Sequence, residues 1–287
     1  MSTIAINGSE FHYEDTGSGE PLILVHGSAS DARAWKGQQQ EFANHFRTIC
    51  YSRRYHWPNK PIADNTDYSM MLHVEDLAAL LETLDATPAH LVGHSYGAFL
   101  CTLLAMKEPR LVRSLVLAEP PAITLFVSNQ PKPAELIRLL FTRPATALSI
   151  IKFGATGVDP AKNAFRRGDT ETGARIFGDA VFGRGAVDRF PKIRKDQVAA
   201  NLSNVRAECL GSGLLPLDDT ALQRLNVPVL LVEGERTIPM FRHLLDRLEE
   251  LLPDTERVKI PNASHSSQED NPQAYNAAVL DFLQRQH

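Results

Sequence analysis

The stretch AHLVGHSYGAFLCTLLAMKEP, from Ala89 to Pro109, constrains this chain more tightly than any other. It begins as a short apolar run of strand character and ends as a helical pattern, with only Gly93-His94-Ser95-Tyr96-Gly97 between them. So sharp a turn crowds the backbone, and small residues are needed on either side of Ser95. The serine hydroxyl is then lifted out of the turn, at the positive end of the following helix. Pro109 and the residue before it mark the exit of that helix.

The rest of the chain repeats the alternation. FHYEDTGSGEPLILVHG reads as a strand, a Gly/Ser turn and a buried strand at Pro21 to Val25, and RTICYS, Arg47 to Ser52, as another strand. MMLHVEDLAALLETLDA carries a broad leucine stripe at helical spacing. VRSLVLAEPP is a strand broken by two prolines. VPVLLVEG, MFRHLLDRLEELLP, ERVKIPNASH and NPQAYNAAVLDFLQRQ then read as strand, helix, strand with loop, and helix. Between about Ala122 and Leu217 no strand pattern appears, only helix-like segments such as AELIRLLF, TALSIIKFG and ETGARIFGDAVFG. The expected fold class is α/β: a mostly parallel, doubly wound sheet with helices on both faces. The core spans 1–121 and 218–287, and a helical lid, 122–217, is inserted between two core strands. Ligands bind such sheets at the carboxyl ends of the strands, so the useful residues should lie just after strands.

Three groups meet that condition. Ser95 is a candidate nucleophile. His26-Gly27-Ser28 follows the early buried strand, and its backbone could converge with that of Tyr96 to hold a developing oxyanion through the Ser28 and Tyr96 N–H groups. His265, in PNASHSSQEDNP after the last strand, is placed to act as a general base from a loop. Of the ten histidines, His73 and His243 fall inside helical patterns, and His94 is expected to line the site without catalysing.

With these residues in view the sequence resembles the α/β-hydrolase fold superfamily. The resemblance rests on the His-Gly turn, the GHSYG elbow, the order of strands and helices and the terminal ASH loop, and it covers nearly the whole chain. It implies a nucleophile–acid–histidine triad, an oxyanion hole and a lid that shapes the pocket. Two departures matter. Many family members carry D-x-R-G-x-G-x-S after the second strand, where this chain has Ser52-Arg53-Arg54-Tyr55-His56-Trp57-Pro58-Asn59. Arg54 fits the motif arginine, while Tyr55 and Trp57 replace the glycines with aromatic bulk that could wall a pocket or merely pack; Arg54 and Trp57 are pocket candidates together with His26 and His94. The family's usual acid position, a few residues after VPVLLVEG, holds Thr237, which cannot stabilise an imidazolium as a carboxylate does. Thr237 is expected to line the histidine's surroundings. The acid is assigned to Glu119, which ends the strand before the lid, as some lactone hydrolases and dehalogenases of the family place theirs. Glu235 is the alternative.

Composition narrows the function. The 287 residues carry a formal net charge of −4, so no basic field invites nucleic acid or an anionic membrane. No run is long enough to span a bilayer, and the start lacks the pattern of a signal peptide. Cys50, Cys101 and Cys209 are unpaired in number and sit in apolar segments, which is read as reduced, buried thiols in a cytoplasmic protein. Neither a metal nor a cofactor is expected, the partner is a small-molecule substrate, and no feature sets an oligomeric state. A serine nucleophile disfavours the family's dehalogenases and epoxide hydrolases that need an aspartate there. The expected activity is hydrolysis of a small ester or lactone through an acyl-enzyme. The alternatives are cofactor-free oxygenation or carbon–carbon cleavage with the histidine–acid pair as base, and a ligand receptor with a vestigial triad. Phe126, Phe141, Phe153, Phe177 and Phe182 make the lid apolar, and are expected to form its core more than the pocket wall.

Overall fold

The apolar runs form the centre of an eight-stranded sheet in the computed structural model, which describes residues 1–63, 66 and 68–286. In chain order the strands are β1 (Ser2–Ile6), β2 (Ser9–Thr16), β3 (Pro21–Val25), β4 (Arg47–Tyr51), β5 (Ala89–His94), β6 (Val112–Ala118), β7 (Val229–Gly234) and β8 (Thr255–Ile260). Across the sheet they run β1-β2-β4-β3-β5-β6-β7-β8. Only the β1/β2 and β2/β4 pairs are antiparallel. From β4 to β8 every pair is parallel.

Parallel strands covered by helices on both faces are apolar throughout rather than alternating. β5 and β7 obey this, being buried along their full length. The period-two geometry of a strand still sorts their side chains into two cores. Leu22, Leu24, Val92 and Val116 pack with Trp35, Phe42, Tyr275 and Phe282 on one face. Ile23, Val25, Leu91 and Leu115 pack with Leu77, Phe99, Phe241 and Leu244 on the other. The helix Tyr96–Lys107 is buried on nearly all sides as far as Ala105, which explains why its sequence is apolar all round.

β3 lies between β4 and β5, so the chain leaves β3 in one direction and returns on its other side. This is the point where winding reverses and a crevice opens at the strands' carboxyl ends. Between β6 and β7 the described residues contain no strand. The longer helices there are Pro133–Thr142, Pro144–Phe153, Asp159–Arg166, Thr170–Phe182, Lys192–Ala200 and Leu202–Leu210, called the insert below. Among the described residues no helix is long and apolar enough to cross a membrane.

Candidate active site

Ser95 joins β5 to the helix Tyr96–Lys107 with φ 51° and ψ −119°, a conformation that costs a non-glycine residue about 1–3 kcal/mol. Its surroundings impose that geometry. The Ser95 N–H donates to the Ala118 carbonyl at the end of β6 (2.8 Å), and its own carbonyl accepts from Phe99 N–H (3.1 Å). A Cβ on Gly93 would come within 2.5 Å of Ala98 Cα, and one on Gly97 within 2.2 Å of the Val25 carbonyl oxygen. A side chain at Gly93 would collide with the start of the helix and one at Gly97 with the end of β3, so both glycines are dictated by close approach.

Glu119 begins where β6 ends, has φ 47°, and is fully buried. Three donors converge on its carboxylate: Gly234 N–H on Oε1 (2.8 Å), and the Thr237 hydroxyl and His265 Nδ1 on Oε2 (2.7 Å each). β6 and β7 are hydrogen-bonded neighbours, so a longer side chain from the earlier strand reaches the place where a shorter one from the later strand would stand. Thr237 does not replace the missing carboxylate; its hydroxyl holds the one supplied from next door. Glu235 points away and accepts from Asn262 N–H (2.7 Å), while buried Glu233 is paired with Arg242 and Arg257.

His265 is only 2% exposed and stacks on Phe241, with ring centroids 4.2 Å apart. Its carbonyl accepts from His94 Nε2 (2.9 Å), so that ring carries its proton on Nε2. Gly234 lets the histidine loop pass close by, since a Cβ there would lie 2.1 Å from the Ser264 carbonyl oxygen. With Nδ1 engaged by Glu119, Nε2 is the ring nitrogen left for the cavity. Burial, reinforced by the Arg194 charge, pushes the His265 imidazole well below its ordinary value, so it is neutral at pH 7. Burial pushes the Glu119 carboxyl up, and the Thr237 and Gly234 hydrogen bonds pull it back. The two groups are in direct hydrogen-bond contact, so the protonation of one bears on the other.

Ser28 and Tyr96 both line the cavity that Ser95, His94 and His265 reach. Tyr96 opens its helix, so its N–H has no partner within the helix. Arg53 controls the other turn. Its guanidinium is 1% exposed and donates to the carbonyls of His26 (3.1 Å) and Gly27 (3.0 Å), to Tyr68 Oη (3.0 Å) and to Glu208 Oε1 (3.0 Å). Holding the Gly27 carbonyl on one side sends the Ser28 N–H to the other, because the peptide is planar and trans. His26 completes the clamp. Its Nε2 accepts from Arg53 N–H (2.9 Å), leaving its Nδ1–H to donate to the Gly27 carbonyl (2.9 Å).

Several expected pocket residues lie elsewhere. Arg54 faces the amino-terminal hairpin, donating to Asp76 through Nε and Nη2 (2.6 Å each) and to Ser9 Oγ. Consecutive residues leaving a strand point to opposite sides, so Arg53 and not Arg54 meets the oxyanion turn; two adjacent arginines at a strand end were the available signal. Trp57 is 41% exposed beneath the Arg33 guanidinium, 4.0 Å from its ring centroid. His26 is sealed behind the turn, and Thr237 behind Glu119; His94 does line the cavity. Phe153, Phe177 and Phe182 both line the cavity and pack against the hydrophobic core, Phe177 also against the insert's own cluster of Ala161, Phe165 and Val205, while Phe141 is 86% exposed and Phe126 packs outside the cavity. Cys50 and Cys101 are free and buried. Cys209 is also free, yet it is part-buried and lines the cavity, contrary to the expectation of three buried thiols.

The cavity encloses about 530 Å³ between the strand ends and the insert. Its wall is mostly apolar, with Leu136, Ile150, Phe177, Val181 and Phe241 among its members. The model of the Alpha/beta hydrolase family matches residues 22–278, nearly the whole chain. The chain belongs to this family. It is 26% identical to epoxide hydrolase 3 of Xenopus tropicalis over 292 aligned residues, 96% of this chain and 75% of that protein. The fold is similar to the enol-lactonase of Burkholderia xenovorans, with a TM-score of 0.74 at 18% identity over 99% of this chain and all of the other. It is also similar to carboxylesterase CesB of Bacillus subtilis, with a TM-score of 0.72 at 21% identity, covering 98% of this chain and 90% of that one.

Proposed function

We propose that this α/β hydrolase cleaves small carboxylic esters or lactones through an acyl-enzyme on Ser95. The observation that carries the reading is the hydrogen bond from His265 Nδ1 to Glu119 Oε2, 2.7 Å, beside a cavity that also receives Ser95. Ser95 Oγ attacks the substrate carbonyl while His265 Nε2 takes its proton. The oxyanion forms between the Ser28 and Tyr96 N–H groups, which are oriented before the substrate arrives. Glu119 stabilises the imidazolium and holds the tautomer. As the carbonyl re-forms, the C–O bond to the alcohol breaks and His265 protonates the departing oxygen. In a lactone that oxygen stays tethered to the acyl group. Water, deprotonated by His265, then attacks the acyl-enzyme, and the proton returns to Ser95 as the acid leaves. A serine at the elbow sets this chemistry apart from that of an aspartate nucleophile, whose ester intermediate is hydrolysed at the enzyme's own carboxyl. The apolar wall favours substrates whose bulk is hydrocarbon.

The test is a series of alkyl esters and lactones assayed with wild type and Ser95→Ala. Turnover should fall by about 10⁴-fold or more in the variant. Ester turnover that survives Ser95→Ala would overturn the acyl-enzyme and point to the histidine–acid pair acting directly on the substrate as a base.

A further inference from the structure

One polar group in the cavity wall has no task in the ester chemistry. Arg194 sits on the insert helix Lys192–Ala200, between the exposed residues Ile193 and Lys195, yet is itself only 7% exposed. It lines the cavity with Ser28, His94, Ser95 and His265, and its guanidinium carbon lies 5.9 Å from the Phe190 ring centroid. Nη1 donates to the Ala29 carbonyl (3.3 Å) and to Gln197 Oε1 (2.6 Å). Nε is buried without a hydrogen-bond acceptor, and Nη2 has none among the described residues.

Of the neighbouring acids, only Glu269 pairs with it, and without a hydrogen bond. Asp31 is engaged by Arg33 through both oxygens and by Asn201 and Gln197. Glu208 is held by Arg53 and Tyr68. Glu269 Oε2 forms an ion pair with Nε at 3.6 Å but no hydrogen bond, so it offsets part of the charge and leaves the Nε and Nη2 donors of the fork unfilled. A guanidinium taken out of water beside apolar side chains is costly unless an anion meets it with good geometry. Its fork matches a carboxylate, and Arg194 lines the space in which a substrate would lie.

We propose that Arg194 binds a carboxylate on the substrate, so that the cavity takes short-chain esters or lactones that are monoanions at neutral pH. The proposal rests on Ser95 as nucleophile and names the substrate class of that site. Nη1 touches Ala29, the residue after Ser28, so only a few carbons separate the bound carboxylate from a carbonyl held at the Ser28 and Tyr96 amides. The arrangement has a catalytic consequence. Burial first and the Arg194 charge second hold His265 low. A substrate carboxylate on Arg194 cancels that charge and makes His265 a better base once the complex has formed.

Monoethyl glutarate and ethyl pentanoate differ in the terminal carboxylate and serve as the matched pair, with wild type, Arg194→Lys and Arg194→Gln. Wild type should prefer monoethyl glutarate by about 10-fold or more in kcat/KM. Arg194→Gln should erase that preference, chiefly by raising KM for the monoanion, and leave ethyl pentanoate within about threefold; Arg194→Lys should keep part of it. The acid limb of kcat for monoethyl glutarate should also sit at higher pH than that for ethyl pentanoate. Equal losses for both esters in Arg194→Gln would make Arg194 a brace for the Ala29 turn and overturn the proposal, as would a wild-type preference for ethyl pentanoate. If neither ester is cleaved, the hydrolase reading fails by itself. Glutarate-dependent thermal stabilisation of Ser95→Ala, abolished by adding Arg194→Gln, would then still establish the anion site, and its absence would remove it.

Discussion

Replacing Glu119 by glutamine isolates the charge of the acid from its shape. The carboxylate accepts from Gly234 N–H, the Thr237 hydroxyl and His265 Nδ1, at 2.8, 2.7 and 2.7 Å. Gly234 can only donate, so the introduced amide must turn its oxygen towards that N–H or leave two donors opposed in a buried site, at about 1–3 kcal/mol. With the oxygen there, the amide NH₂ faces Thr237 Oγ1 and His265 Nδ1. Threonine can accept. Histidine can accept only by moving its proton to Nε2, the nitrogen that has to take the proton of Ser95. The fold should therefore survive with a change in Tm of a few degrees, while kcat falls about 10⁴-fold, equivalent to about 5.5 kcal/mol of transition-state stabilisation. Ester kinetics and thermal unfolding on the same preparations make the comparison, with Ser95→Ala as the floor and Glu235→Gln as the control, expected to stay near wild type. Thr237→Asp added to Glu119→Gln should recover activity at least tenfold, because Thr237 Oγ1 already lies 2.7 Å from the oxygen that holds the histidine. An active Glu119→Gln enzyme, within tenfold of wild type, would refute the reasoning, and so would an equal loss in Glu235→Gln.

Further outcomes follow from the same geometry. Gly97→Ala should abolish soluble folded protein, since its Cβ would stand 2.2 Å from the Val25 carbonyl oxygen; expression and circular dichroism decide it. Arg53→Met should cost about 3 kcal/mol of stability in urea titration, because it leaves part-buried Glu208 without its cation and the His26 and Gly27 carbonyls without their donor, and should lower kcat on every ester through the loosened Ser28 turn. Wild-type kcat/KM should hold as pH falls through 6.5 and drop only where His265 takes up its proton, since burial lowers that value. Stability should fail first: His26, His56, His73, His94 and His265 are all lowered by burial, so the unfolded chain binds more protons below pH 6.5 and acidification favours it. His73 has both ring nitrogens buried and unbonded among aromatic neighbours, so His73→Phe should raise Tm and flatten the fall between pH 7 and 5, read by calorimetry.

The sequence by itself determined whatever depends on neighbours along the chain. Strand and helix periods, the small residues around Ser95, and the position of His265 after the last strand are local patterns, because backbone sterics and hydrogen-bond geometry act over a few residues. They led to the parallel sheet and to the strand ends. Folding decided what depends on lateral neighbours. The sequence ranked Glu119 above Glu235, yet only the pairing of β6 with β7 brings the Glu119 carboxylate, the Thr237 hydroxyl and the His265 ring to one point. Arg53 and Arg54 are indistinguishable as letters, and the direction in which each leaves β4 sends one to the oxyanion turn and the other to Asp76. Phe177, Phe182 and Arg194 look like ordinary members of helices; they become wall residues and a cation of a cavity only because the insert lies over the strand ends. Chemistry written in short motifs was legible, and the chemistry of recognition, assembled from residues distant in sequence, required the tertiary fold.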